Sequence, residues 1–484
     1  MTEFIAGFIP DTFQETIDLH TLTFTKHEQL VTVKVPKLCC NQYLGLIQHL
    51  KENRERVMKS CHTNELIEVI DQAVTRWLDP NEPNRKLAEQ LLPIITGYDD
   101  EMIRTFLTDY LRSFRKEKLQ RMIEEDFPNP LVLDEFRPRH SGGLTRAYGP
   151  DLMAHIFSGN VPALPLWSLA AGLLLKSATL GKVSSSEPVF SSLFVRTIAE
   201  IRPEIARCMA IVWWKGGDEE IEKIVFSHSS RVIAYGSHQT IEAVKQRVPT
   251  HVPLHTHGHK VSASVVGSEC LQGPLVKEVI KRVARDVATF DQQACLSPHV
   301  IFVEKGGKIT PREFAGMLAQ EMNNLEVKMK RAVLTEEEVS AIHAARAKVH
   351  FSSFRSEGTD LYTSVDSSVW TVVYEESDHF PYSVLNRFIT VIPLDSLKEL
   401  SERLAPVSRV IQSVGVACTP KEFQTLIHIL GEAGVNRICS IGEMIKPEPG
   451  WHHDGRFHLA ELVSWCDVES TVESMIDEFD PFRI

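Results

Sequence analysis

The stretch Phe290-Asp291-Gln292-Gln293-Ala294-Cys295-Leu296-Ser297-Pro298 sits between an amphipathic helix pattern, about Leu275 to Thr289, and an apolar β-type run, Val300-Ile301-Phe302-Val303. A cysteine at a helix-to-strand junction, bracketed by polar residues, can be partly exposed and have its thiolate stabilised by backbone N–H groups, whereas a core cysteine is inert. Cys295 is therefore the candidate nucleophile. The pattern by itself also fits a small buried apolar residue, as it does for any of the nine cysteines.

Before this stretch, from Ala154 onward, short apolar runs alternate with helical ones, the signature of a parallel sheet built from βαβ units. Strands are expected at Ala154–Phe157, Thr179–Val183, Met209–Trp214, Arg231–Tyr235 and Val261–Val266, with helices such as Glu187–Ile201 and Gln239–Gln246 between them. Such a sheet binds its nucleotide beyond the carboxyl ends of the strands. Lys182, Ser184, Ser185, Gly236 and Ser237 fall there, although no GxGxxG fingerprint is present. After Cys295 the pattern continues with helices at Pro311–Val327 and Thr335–Val349, strands at Val369–Tyr374 and Arg387–Ile392, and a further α/β unit over Arg409–Ser440.

Nearer the amino terminus, alternation over Thr21–Val35 predicts a β-hairpin, and Asn64–Trp77 predicts a helix with Leu66, Ile67, Ile70, Val74 and Trp77 inward. A further helix is expected after Asp99. No chemistry is visible before about residue 140, so this region is expected to support the rest or to mediate assembly.

A length of 484 residues implies two or three domains. A formal charge of −12 and a pI near 5.9 argue against nucleic acid or an anionic membrane as partner. Met1-Thr2-Glu3-Phe4 is acidic where a secretory signal would be basic, and the longest apolar stretch, Val161–Leu175, carries Pro162 and Pro165 and is too short to span a bilayer. The cysteines are scattered and form no CxxC pair, as expected of reduced thiols in a cytoplasmic enzyme.

The segment Asp291-Gln292-Gln293-Ala294-Cys295, with Ser297-Pro298, resembles the nucleophile segment of the LuxC-type acyl-CoA reductases, a branch of the aldehyde dehydrogenase superfamily. Other family-like stretches follow in order: Gly159-Asn160-Val161-Pro162, Lys182 with its serine run, Tyr235-Gly236-Ser237, His257-Gly258-His259-Lys260, Gly431–Val435 and Trp451–Arg456. The resemblance runs from about Arg121 to the end of the chain. It implies an α/β, aldehyde dehydrogenase-like fold: a helical and hairpin N-terminal region (1–140), a parallel-sheet NADP-binding domain (141–285), a catalytic domain (286–455) and a C-terminal tail (456–484) packed on the cofactor domain or an oligomer interface.

By the same resemblance Cys295 is the nucleophile and Asn160 donates its amide to the developing oxyanion, beside the backbone N–H of Cys295. Lys182, Ser184, Ser185, Gly236, Ser237, Thr256 and Gly258 become the cofactor-binding residues, with Lys182 at the adenosine ribose and the helix opened by Gly236-Ser237 facing the pyrophosphate. NAD-preferring relatives often carry a glutamate where this chain has Ser185. A hydroxyl there can donate to a 2′-phosphate that a carboxylate would repel, so NADPH is the expected cofactor. The glutamate that activates water in oxidising relatives is replaced by Thr256, a poor base, so an acyl-cysteine would escape hydrolysis.

The activity implied is NADPH-dependent reduction of an acyl-CoA or long-chain acyl-protein thioester to an aldehyde, by a homo-oligomer working beside an acyl-protein synthetase. The alternatives are an NAD(P)-dependent aldehyde dehydrogenase and a catalytically silent scaffold for an acyl-activating partner. The run His251–His259 has alternate histidines of the kind that bind zinc, but Gly258 interrupts it and no carboxylate or cysteine is adjacent, so no metal is expected.

Overall fold

The computed structural model describes residues 2–355, 357–365 and 368–479; the last five residues of the expected tail, 480–484, lie outside them. The chain forms two compact units, one of Met1–Ile95, Leu107–Gly258 and Glu448–Ile484, the other of Thr96–Phe106 and His259–Pro447.

The first unit is built on a five-stranded parallel sheet in the order Leu254–His257, Arg231–Tyr235, Leu152–Ile156, Ala178–Lys182, Met209–Val212. Every residue of Leu152–Ile156 and Met209–Val212 is buried, because helices cover both faces of a parallel sheet and leave no polar side for alternation. Helices Pro165–Leu174, Phe190–Ile201, Glu219–Ser227 and His238–Arg247 form the connections. The expected N-terminal helix spans Thr63–Leu78, and its apolar stripe ends in Trp77, fully buried edge-on against Phe190 with its indole N–H donated to Thr197 Oγ1 at 2.8 Å. The expected hairpin is Asp18–Lys26 paired antiparallel with Gln29–Lys37. A small antiparallel sheet joins Leu144–Tyr148 to Arg137–Pro138 and to Ser464–Val468.

The second unit carries a seven-stranded sheet in the order Thr359–Thr363, Thr371–Glu375, Phe388–Leu394, Pro298–Glu304, Val261–Val266, Ile411–Ala417, Arg437–Ser440, in which the first pair alone is antiparallel. The run Val261–Val266, grouped by its sequence pattern with the cofactor strands, thus pairs with the strand that follows Cys295. Buried parallel strands are alike in composition whichever sheet they enter, so pattern does not assign them. Helix Leu275–Ala288 presents Val276, Val279, Ile280, Val283, Ala284 and Val287 to this core, a helical stripe of period 3.6. Among the described residues no helix is long and apolar enough to cross a membrane.

Candidate active site

Cys295 lies in the second unit, half-buried, between a 3-10 turn at Thr289–Gln292 and strand Pro298–Glu304. Its neighbours Ala294, Leu296 and Ser297 are buried. The Cys295 carbonyl accepts from Ser262 Oγ at 2.8 Å, and that oxygen in turn accepts from the Ser413 N–H at 3.2 Å, so two sheet strands hold the backbone of this residue. Burial pushes the Cys208 thiol up to about 12 and those of Cys270 and Cys439 up to about 11, and it also raises Cys61 and Cys418. Those five are held as thiols at neutral pH, which makes them poor nucleophiles.

The approach to Cys295 is unusual. Phe290, Asp291 and Gln292 have φ of 53°, 50° and 64°, three consecutive non-glycine residues in the left-handed region. A second such run, Leu385, Asn386 and Arg387, has φ of 62°, 57° and 64°. Each left-handed residue with a side chain costs roughly 1–2 kcal/mol, so each run stores on the order of 3–6 kcal/mol that its surroundings must offset. Phe290 is fully buried, edge-on to Phe106 at 4.4 Å and Tyr98 at 5.3 Å. Asp291 Oδ1 accepts from Arg387 Nε at 2.6 Å and Oδ2 from the Ala332 N–H at 3.0 Å. Gln292 donates to the carbonyls of Pro298 and Phe388 at 2.9 and 3.2 Å. The two runs are further joined by Asn386 N–H to the Asp291 carbonyl at 2.8 Å and by Gln293 Nε2 to Asn386 Oδ1 at 3.1 Å.

In the first unit the expected cofactor residues gather at the carboxyl ends of adjacent strands, where Ile156 pairs with Lys182. Asn160 follows strand Leu152–Ile156, and Ser158 Oγ donates to its Oδ1 at 2.8 Å. Gly159 is required by close approach: a Cβ there would lie 2.1 Å from Ser186 Oγ and 2.8 Å from Ser184 Oγ. Trp213 Nε1 donates to Ser185 Oγ at 2.9 Å, while Ser184 and Ser186 share a hydrogen bond at 2.8 Å. Burial pushes the Lys182 ammonium down, against an opposing pull from Glu222. Glu187, the nearest carboxylate in sequence, is 3% exposed and accepts from the N–H groups of Val189 and Phe190, capping helix Phe190–Ile201. It faces the helix end, and burial raises its carboxyl. Ser237 is the N-cap of helix His238–Arg247, accepting from the Thr240 N–H at 3.3 Å, and Gly236 leaves room for the Thr240 side chain.

Thr256 lies on the edge strand opposite Ala234, and Gly258 follows the strand's end at His257. Burial pushes His255 down to about 4. His257 Nδ1 is hydrogen-bonded to Asp454 Oδ2 at 2.8 Å, and its ring packs near-parallel to those of Tyr235 at 4.5 Å and His453 at 4.3 Å. The donor atoms of His257, His453 and Asp454 lie within 4.8 Å of one another. The two imidazoles, however, are only 19° from parallel. Their in-plane lone pairs run side by side rather than converging on a point about 2.0–2.1 Å from each, which zinc requires. The cluster fits an oriented, stacked imidazole better than a metal centre. Its partner Asp454 comes from the Trp451–Arg456 stretch, singled out in the sequence but given no role there.

Cys295 is thus on one unit, and Asn160, Lys182, Ser184, Ser185, Gly236, Ser237, Thr256 and Gly258 are on the other. The Asp291–Arg387 pair had no sequence signal beyond the charges themselves.

A family model described as acyl-CoA reductase (LuxC) matches residues 58–465. "Long-chain acyl-protein thioester reductase 2" of Photobacterium leiognathi is 24% identical over 413 residues, covering 84% of this chain and 82% of that protein. "Long-chain acyl-protein thioester reductase" of Aliivibrio fischeri is 22% identical over 422 residues, covering 85% and 83%. Among solved structures, aldehyde dehydrogenase 21 of Physcomitrella patens in complex with the reaction product succinate superposes with a TM-score of 0.74 at 11% identity, covering 97% of this chain and 99% of that one. The fold is that of an aldehyde dehydrogenase.

Proposed function

Because this chain belongs to the acyl-CoA reductase (LuxC) family, we propose that it reduces an acyl thioester, carried on CoA or on a protein, to an aldehyde through an acyl group on Cys295. The Cys295 thiolate attacks the thioester carbonyl, the bond to the carrier sulfur breaks, and the carrier thiol leaves with a proton. The Asn160 amide and the Cys295 N–H hold the oxyanion, and one such donor typically contributes about 2.7–4 kcal/mol to transition-state stabilisation. NADPH supplies the hydride that converts the acyl group to an aldehyde, leaving the cysteine as thiolate. Lys182, the serine run and the Gly236-Ser237 helix start hold the cofactor.

The observation that carries this reading is Thr256. With no carboxylate there to activate water, the acyl-cysteine persists long enough to be reduced. NADPH is supported by two details. The Trp213 indole N–H occupies a lone pair of Ser185 Oγ, so the hydroxyl proton is available to a 2′-phosphate. The neighbouring Glu187 carboxylate is spent on a helix cap. The names of the relatives support a long acyl chain and a protein donor; the partner we propose to load that donor is an acyl-protein synthetase. We place the enzyme in the cytoplasm as a homo-oligomer.

The test is incubation with radiolabelled acyl-CoA and acyl-protein, followed by mass mapping. Label on Cys295, released as aldehyde when NADPH is added, is expected. Release as free acid without cofactor would mean hydrolysis instead, and no label from any donor would leave a scaffold.

A further inference from the structure

Arg387 is fully buried and Asp291 is 1% exposed, and their ion pair at 2.6 Å joins the two left-handed runs. Arg387 uses Nε for Asp291 and Nη1 for Glu326 Oε2 at 2.7 Å and for the Met329 carbonyl at 3.0 Å. The carboxylate of Asp291 meanwhile holds the Ala332 N–H, and its carbonyl holds the Asn386 N–H. Every group in this lattice lies within the second unit, and the chain leaving it reaches Cys295 four residues after Asp291.

Neither run contains glycine, so neither conformation is adopted freely; each persists because the other pins it. A helix end could have been joined to strand Pro298–Glu304 by an ordinary turn. Instead three consecutive residues, ending three positions before Cys295, take the left-handed conformation and are held from the side by the Arg387 guanidinium. A structural ion pair needs burial and good geometry; it does not need six strained residues converging on one loop.

On the reading that Cys295 is the nucleophile, we propose that Arg387 and Asp291 are positioning residues. Together with Asn386 they hold the left-handed run that sets the direction of the Cys295 thiol and of its backbone N–H. Arginine is suited to this because its planar fork addresses Asp291 and Glu326 from two fixed directions at once, which a lysine ammonium cannot do.

The test measures the reaction of Cys295 with iodoacetamide in the full-length protein, followed by peptide mass mapping over a range of pH, with thermal midpoints recorded alongside. Arg387→Lys keeps the charge and loses the fork. It is expected to slow alkylation about tenfold or more and to move the pH midpoint upward, because small misplacements at a reacting group are amplified in rate. Asn386→Gly relaxes the second run, releases Gln293 and leaves the ion pair in place. It is expected to slow alkylation several-fold in a protein that stays folded. Glu326→Gln removes a charge but keeps an acceptor for Arg387 Nη1 and for the Arg331 N–H, and it leaves the Arg387 Nε contact to Asp291 in place, so its rate should stay within about twofold of the parent.

A fall in thermal midpoint for Arg387→Lys and Asn386→Gly, with unchanged alkylation rate and pH profile, would make the network structural and overturn the proposal. So would equal slowing in all three variants. Acyl label mapped to a residue other than Cys295 would instead overturn the functional reading while leaving the alkylation result standing as a statement about the loop.

Discussion

Replacing Ser185 with glutamate should turn cofactor preference away from NADPH, and the structure sets the size of the effect. Ser185 is exposed, so the water-like end of the electrostatic range applies. Two unit charges about 4 Å apart repel by about 1 kcal/mol at a dielectric near 80, and by about 4 at an effective value near 20. A phosphate of nearly two charges at an exposed site therefore loses roughly 1–2 kcal/mol, or about 5- to 30-fold in affinity. The Trp213 hydrogen bond to Ser185 Oγ is lost as well, but this weakens both cofactors and drops out of the ratio. Glu187 does not mask the effect, because its carboxylate is buried on the N–H groups of Val189 and Phe190. Isothermal titration of parent and Ser185→Glu proteins with NADPH, NADH and 2′,5′-ADP reads this directly. The expected result is that the ratio of NADPH to NADH dissociation constants rises by the stated factor and that 2′,5′-ADP binding weakens in parallel. A parent protein that prefers NADH, or a variant with an unchanged ratio, would refute the assignment of Ser185 to the 2′-phosphate.

Asn160→Ala should lower kcat/KM by about 10²–10³, the effect of one oxyanion donor, while the alkylation rate of Cys295 by iodoacetamide stays near that of the parent. Thr256→Glu should convert part of the labelled acyl-enzyme to free acid without cofactor, scored by thin-layer chromatography; no acid would show that Thr256 is not at the water-activating position. Burial pushes the Asp286 carboxyl from its ordinary 3.8 up to about 7, opposed by the N–H groups of Gly442 and Met444. Between those values the folded state holds a proton that the unfolded state has released, so this group's contribution to stability falls as pH rises from about 4 to 7. Relative to the parent, Asp286→Asn should therefore gain about 2–3 kcal/mol between pH 5 and 7.5 in urea denaturation, and a constant difference across that range would rule the shift out.

Much of the scaffold is legible in the sequence because it rests on periodicity. Helix Leu275–Ala288 and strands Arg231–Tyr235 and Val261–Val266 end within a residue of where apolar spacing puts them. What periodicity does not carry is which sheet a buried strand joins, and so Val261–Val266 was grouped with the wrong neighbours. Strand Ser464–Val468 is almost wholly exposed and has no apolar face to announce it. The candidate site residues rest on motif resemblance rather than on pattern. The left-handed runs escaped because Phe290, Asp291 and Gln292 contain no glycine or turn dipeptide; their geometry is imposed by Arg387, 96 positions away from Asp291. The same holds for His257 and Asp454, 197 residues apart. Long-range polar pairs leave no local trace.

The division of the chain carries a consequence for how the protein is made. The backbone passes between the two units four times, after Ile95, Phe106, Gly258 and Pro447. The first unit also relies on its last segment: Asp126 accepts from the N–H groups of Leu459 and Ala460, and Leu144–Tyr148 is paired by Ser464–Val468. While the ribosome is still synthesising residues 259–447, the first unit has neither the strand that completes its small sheet nor the donors that satisfy the Asp126 carboxylate. A nascent chain in that interval holds an unfinished edge and a buried acid waiting for its partners, a natural target for chaperones, and no contiguous fragment contains one unit whole without part of the other.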